Sequence, residues 1–341
     1  MKGLLIGGGI WLLLLLAACS LTPAASEITA QILRTPQSVP TQATLATVPV
    51  SLSPTPTTHT TTTTIDPSTT AVPTATHIAT TTPSPYTVIG TSTGGHPIVS
   101  YQFGNGPIPI ILVGGIHGGY EWNTILLAYE MIDFFDERPE QMPENISLII
   151  IPSANPDGQF LITGSDGRFS PTDIPPDIDT LPGRFNANNV DLNRNWDCEW
   201  SETAVWRDQP VNSGSQPFSE PENRVLRDYF LQKKPALVIF WHSAGNGVFA
   251  AGCPEIYTPS LQLATIFGQA ADYPVYEKFL YYPITGDAGD WLATQDIPSI
   301  SIELKTHEAT DWLANQAGML TILAYYGNPD RNYPLTIVPV E

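Results

Sequence analysis

Positive charge is scarce in this 341-residue chain: 14 Lys and Arg stand against 33 Asp and Glu, a formal net charge of −19. A nucleic-acid binder neutralises phosphates with clustered Lys and Arg, and docking on anionic lipid through a basic face needs the same residues, so neither reading fits. The acidity is also uneven. Residues 1–84 carry only Lys2, Glu27, Arg34 and Asp66, which cancel, so the whole excess lies in residues 85–341. That second stretch is long enough for one large domain with a sizeable core, and a second would be crowded. Cysteine is nearly missing too, with three residues in all.

The uncharged N-terminal part reads as an address and a spacer. Lys2 precedes the apolar run Leu4–Leu16, which is interrupted by three glycines and too short to span a membrane comfortably. Leu16-Ala17-Ala18-Cys19 resembles the lipobox of bacterial lipoproteins, so residues 1–19 are expected to be a lipoprotein signal peptide with Cys19 lipidated. Residues 20–85 are rich in Thr, Pro and Ser, include Thr60–Thr64 unbroken, and show no hydrophobic period. Such a tract buries too little to offset its ordering entropy and is expected to be an extended, disordered stalk. The protein is therefore expected to be exported and lipid-anchored to a bacterial membrane, its folded part on the extracytoplasmic side. With Cys19 assigned to lipid, Cys198 and Cys253 form an even pair expected to bridge in an oxidising compartment.

From residue 86 onward, strand and helix signals alternate. Ile108–Val113, Ile146–Ile151 and Ala236–Trp241 are short apolar runs read as strands, Ser299–Leu304 reads as one more strand, and Trp122–Phe135 and Trp312–Tyr326 have helical spacing. Ser219-Glu220-Pro221-Glu222 reads as a capping box opening a helix through about Lys234. Alternation of this kind predicts a largely parallel sheet covered by helices, with ligands bound beyond the carboxyl ends of the strands. Those ends deliver His117 with Glu121, His242 and Glu303. Two imidazoles and a carboxylate with one open position suit a hydrolytic zinc ion. Other motifs fail on inspection. His307-Glu308 lacks the second histidine of a zincin helix, and Trp241 occupies the first glycine that a serine-nucleophile elbow around Ser243 requires.

Gly115-Ile116-His117…Glu121, Asn155-Pro156-Asp157-Gly158, Arg184 through Trp196 with Val190-Asp191-Leu192-Asn193-Arg194-Asn195-Trp196, His242-Ser243 and Ile302-Glu303-Leu304 occur in an order that resembles the zinc carboxypeptidases related to carboxypeptidase A. The resemblance implies that residues 86–341 form a three-layer α/β/α sandwich around a mixed, roughly eight-stranded sheet, holding one zinc per domain. It implies His117, Glu121 and His242 as ligands, Glu303 as general base and Arg184 at the oxyanion. It further implies Asn193 and Arg194 on the substrate's terminal carboxylate and Asp191 behind His117. The activity implied is removal of C-terminal residues from peptides. A peptidoglycan-peptide amidase cutting next to diaminopimelate on the same site is the alternative, and a silent binding or adhesion module is the rival from another class. Two features depart from the pattern. The ligand pair is H-x-x-x-E rather than H-x-x-E, and Asp290-Trp291 is not followed by the expected tyrosine, leaving either Tyr281 or Tyr282 to substitute or a substrate that needs none.

Overall fold

An apolar run with no polar alternation can be a stable strand only if both of its faces are covered, and Ile108–Val113 and Ile146–Ile151 are both of this kind. The computed structural model describes residues 85–328 and residue 330; residues 1–84, with Cys19, the expected signal peptide and almost all of the expected stalk, lie outside the described residues. Among the described residues the strands are β1 (Tyr86–Thr91), β2 (Pro97–Phe103), β3 (Ile108–Val113), β4 (Ile146–Ile151), β5 (Val205–Trp206), β6 (Gln209–Pro210), β7 (Leu237–Ser243), β8 (Gly247–Ala250), β9 (Val275–Tyr276) and β10 (Ser299–Leu304). The α-helices are α1 (Trp122–Glu137), α2 (Pro156–Thr163), α3 (Pro221–Lys233), α4 (Thr258–Ala271), α5 (Ala288–Thr294) and α6 (Trp312–Gly327).

Eight strands form one sheet in the order β1-β2-β4-β3-β7-β10-β8-β9, and β5 and β6 form a separate hairpin. The centre, β4-β3-β7-β10, is parallel, whereas β1-β2, β2-β4 and β10-β8 pair antiparallel. The sheet is therefore mixed, and its parallel part is the part that delivers the candidate site. Alternate residues of each central strand enter two cores. Ile110, Leu112, Ile239 and Trp241 pack with Leu127, Met131 and Phe135 of α1, Phe267 of α4 and Met319 of α6. On the other face, Ile111, Val113, Val238 and Phe240 pack with Leu226 and Phe230 of α3 and Trp291 and Leu292 of α5. Burying one such side chain contributes about 1.5–3 kcal/mol. A one-residue slip of any central strand would exchange its two faces, so the register that carries the site is tightly specified.

The expected capping box at α3 does not form. Glu220 occupies the N-cap without a side-chain cap bond. Glu222 turns instead to the Thr93 backbone N–H at 2.8 Å, so a long-range partner wins over the local one. No helix among the described residues is long and apolar enough to cross a membrane.

Candidate metal centre

Parallel pairing sets Glu303 of β10 beside His242 of β7. β3 ends at Val113 and its chain continues through Gly114-Gly115-Ile116 to His117. The extra residue of H-x-x-x-E is absorbed by a 3-10 turn over Gly118–Glu121. Two glycines make that turn possible: Gly118 has φ +44°, and a Cβ on Gly119 would lie 2.5 Å from the Ile162 side chain and 2.6 Å from the Gly158 carbonyl.

The turn brings three donors together. His117 Nδ1 lies 2.8 Å from Glu121 Oε1, His242 Nδ1 lies 3.2 Å from Glu121 Oε2, and the two Nδ1 atoms are 3.4 Å apart. Ligands bonded to zinc at about 2.05 Å in tetrahedral geometry are about 3.3 Å from one another. The donor set and its spacing fit zinc, and these residues are the group among the described residues able to hold a metal ion. Burial opposes charge on Glu121, but the His117 and His242 imidazoles hold its carboxyl below the usual range.

Behind the donors, Asp191 Oδ1 is 3.4 Å from His117 Nε2, facing it without hydrogen-bond alignment. Arg184 donates to Asp191 Oδ2 through Nε at 2.9 Å, with Nη2 at 2.8 Å. Burial again opposes the charge, and Arg184 with His117 holds Asp191 well below the ordinary carboxylate range. Arg184 is itself buried, 3.9 Å from Glu121 and stacked on Trp206 at 4.7 Å. Glu303 is half-buried and accepts the Gly245 N–H at 3.0 Å. Burial pushes its carboxyl up while the His242 imidazole pulls back.

Two cavities meet at His117 and Glu303. One, of about 520 Å³, is lined by Asn193, Arg194, Tyr282, Asp287 and Asp290; the other, of about 530 Å³, by Tyr120, Arg184, Trp206 and Arg207. Trp196 anchors the first wall, buried beside Phe230 with its indole N–H donated to the Leu192 carbonyl at 2.9 Å. Asn193 is engaged by the protein, donating to Asp287 at 2.7 Å and accepting the Ala288 N–H at 3.0 Å. Arg194 donates to the carbonyls of Val205 and Asn193. Cys198 and Cys253 are bonded, with Cα atoms 6.2 Å apart, and their neighbours Glu199 and Pro254 line the same cavity.

Other residues complete this rim. Tyr282 lines both cavities, while Tyr281 donates to the Gly245 carbonyl at 3.3 Å. Asp290 accepts the Gly252 N–H, and burial next to Asp287 pushes its carboxyl up to about 8. The remaining described histidines are outside the donor set: His307 bonds Ser243 Oγ at 3.0 Å, and His96 pairs with Asp166 at 2.9 Å.

A family model described as zinc carboxypeptidase matches residues 74–322. Murein peptide amidase A of Escherichia coli (strain K12) is 30% identical over 140 residues, covering 38% of this chain and 54% of that protein. Carboxypeptidase B of Astacus astacus is 30% identical over 153 residues, covering 42% of this chain and 48% of that protein. The chain thus spans about half the length of these curated relatives. The solved murein-tripeptide amidase of Escherichia coli O157 shares the fold at a TM-score of 0.52 and 23% identity, over 73% of this chain and 92% of that one.

Proposed function

The chain belongs to the zinc carboxypeptidase family, and from that membership we propose that it hydrolyses the amide bond preceding a terminal residue whose α-carboxylate is free. It is a zinc hydrolase; the finer activity rests on the meeting of the His117, Glu121 and His242 donors with Glu303 and Arg184 where two cavities join. The metal's contribution when bound is Lewis acidity, which brings the pKa of water toward about 7. Glu303, with Oε2 held by Gly245, takes the proton of the attacking water and returns it to the leaving nitrogen. Arg184, fixed by Asp191, holds the developing oxyanion without reorganising. Arg194 receives the substrate's terminal carboxylate, and Asn193, bound to Asp287 and Ala288, shapes that wall.

Asp290 and Asp287 on the same cavity suit a released residue with a cationic side chain, because an ammonium there relieves the repulsion between the two carboxyls. Lysine-like peptide ends and the distal ammonium of diaminopimelate both satisfy this. The likeness to murein peptide amidase A supports the second source, a muropeptide, as the alternative reading. Peptides with free and amidated C-termini, assayed beside muropeptides with the zinc-loaded protein, separate the cases. Amidation and Arg194→Ala are each expected to lower kcat/KM on the order of a hundredfold, with a thermal melt to confirm that the variant is folded. Equal turnover of free and amidated ends would remove carboxylate capture from the proposal.

Tethering belongs to the same proposal: a lipid on Cys19 and the Thr/Pro-rich segment would hold the hydrolase away from a bacterial membrane. Cys19→Ser should move the protein from the membrane to the soluble fraction, and an unchanged distribution would count against the anchor.

A further inference from the structure

The second cavity contains a cation that the proposed chemistry leaves unused. β5 and β6 form a hairpin whose connecting residues are Arg207 and Asp208, and Arg207 is held at φ +59°. Its guanidinium lies 4.7 Å over the Trp206 ring, the ring that also carries Arg184 at 4.7 Å and meets Tyr120 edge-on at 5.4 Å. The two arginines differ in one respect. Arg184 is neutralised by Asp191, whereas Arg207 is exposed and makes no ion pair among the described residues. Asp208 lines the same cavity, but its carboxylate accepts from the Gln209 amide at 3.1 Å. In a chain of net charge −19, an unpaired guanidinium lining the reaction cavity is a local exception to the surrounding field.

With the terminal residue in the Arg194 cavity, as the proposed function has it, the acyl portion of the substrate runs into the cavity of Trp206 and Arg207. We propose that Arg207 is a specificity-determining residue, selecting a substrate whose acyl-side residue carries a free carboxylate. Contact with the Trp206 ring holds the guanidinium at the cavity wall, and a planar fork matches a carboxylate through two hydrogen bonds. That carboxylate has two chemical sources: the side chain of an α-linked Glu, or the α-carboxylate of a γ-linked Glu.

The inference rests on the hydrolase reading, and its test separates the two. The zinc-loaded full chain is assayed on N-acetyl-Glu-Lys against N-acetyl-Gln-Lys, and on N-acetyl-γ-D-Glu-Lys against its α-carboxamide. The wild type should favour the charged member of at least one pair by about fivefold in kcat/KM, the scale of a partly exposed charge pair, with the preference shrinking in high salt. The pair with the larger ratio identifies the source. Arg207→Gln should erase the preference while leaving the neutral substrates within about twofold, and Arg207→Glu should invert it. Asp208→Asn should strengthen it. Equal rates for charged and neutral members in the wild type, or equal slowing of both in Arg207→Gln, would overturn the assignment. If no substrate is turned over, the hydrolase reading falls, and selection is then read from binding of N-acetylglutamate against N-acetylglutamine. Tighter binding of the glutamate that disappears in Arg207→Gln supports the subsite, and equal binding rejects it.

Discussion

Two groups of buried carboxylates lie in this domain, and the shifts of Glu121 and Asp191 in one run opposite to that of Glu222 in the other. Glu121 and Asp191 sit among His117, His242 and Arg184 and are held below the ordinary range. Glu222 sits beside Asp157 and Glu220, and burial, reinforced by the Asp157 charge, pushes its carboxyl up. No Lys, Arg or His pairs with this second group within ion-pair distance among the described residues. Its partners are neutral donors: the Thr93 N–H on Glu222, Asn186 and Asn188 on Glu220, and Ser92 with the Gly94 N–H on Asp157. Desolvation penalises both groups, so the difference comes from countercharge. The second group does structural work for the first. Asn186 is tied to it, and its Oδ1 accepts from the Val190 N–H at 3.0 Å, which pins the loop between Arg184 and Asp191.

The largest effect expected from this contrast is at Glu303, whose carboxyl is raised like that of Glu222 although it is the proposed general base. Glu303→Gln should lower kcat by about 10²–10⁴-fold while zinc content and melting temperature hold. Substantial residual turnover would move Glu303 to the supporting class and leave the site without its base.

A smaller effect is expected at Asp191. Asp191→Asn removes the charge facing His117 and uncouples Arg184, so zinc affinity measured against a competing chelator should fall about 10–100-fold. An unchanged affinity would show that His117 is oriented by its own backbone alone. The acid limbs of Asp191 and Glu222 should differ as well. The folded pKa of Asp191 is depressed, so its stabilising charge is present above the ordinary carboxylate range and is lost only as pH falls to that depressed value.

The parts of this contrast that spacing reveals are the ones built from local signals. Ile108–Val113 and Ile146–Ile151 were legible as strands because such apolar runs need both faces buried, and the carboxyl ends of Ile108–Val113 and Ser299–Leu304 pointed directly to His117 and Glu303. Glu121 was legible in spite of its irregular spacing, since a turn of two glycines keeps it within reach of His117. Cys198 and Cys253 were legible by count. The supporting group was not, because Thr93, Asp157, Asn186 and Glu222 come from four separated segments and their bonds span up to 129 residues. The same holds for the short β5–β6 hairpin, whose two-residue strands carry no periodicity.

The smallest expected effect tests the supporting group itself. Glu222→Gln keeps an oxygen for the Thr93 N–H at 2.8 Å and directs its amide toward Thr93 Oγ1, now at 3.3 Å from the carboxylate. It forfeits the 3.3 Å contact from Asn186, which retains its 2.8 Å bond to Glu220. Against that weak loss stands relief of the repulsion with Asp157. Because the folded pKa of Glu222 is raised, the stability it contributes is complete below the pKa of an unfolded Glu and is lost as pH rises through the folded value. The substitution should therefore stabilise the protein by about 1 kcal/mol at pH 7.5, a rise of roughly 2–4 °C in Tm, and be neutral near pH 4, where the native carboxyl is already protonated. Chemical denaturation of both forms at the two pH values reads the difference. A loss of the same size at both would mean that Glu222 serves as a hydrogen-bond acceptor whose charge costs nothing, and the contrast between the two groups would then reduce to burial.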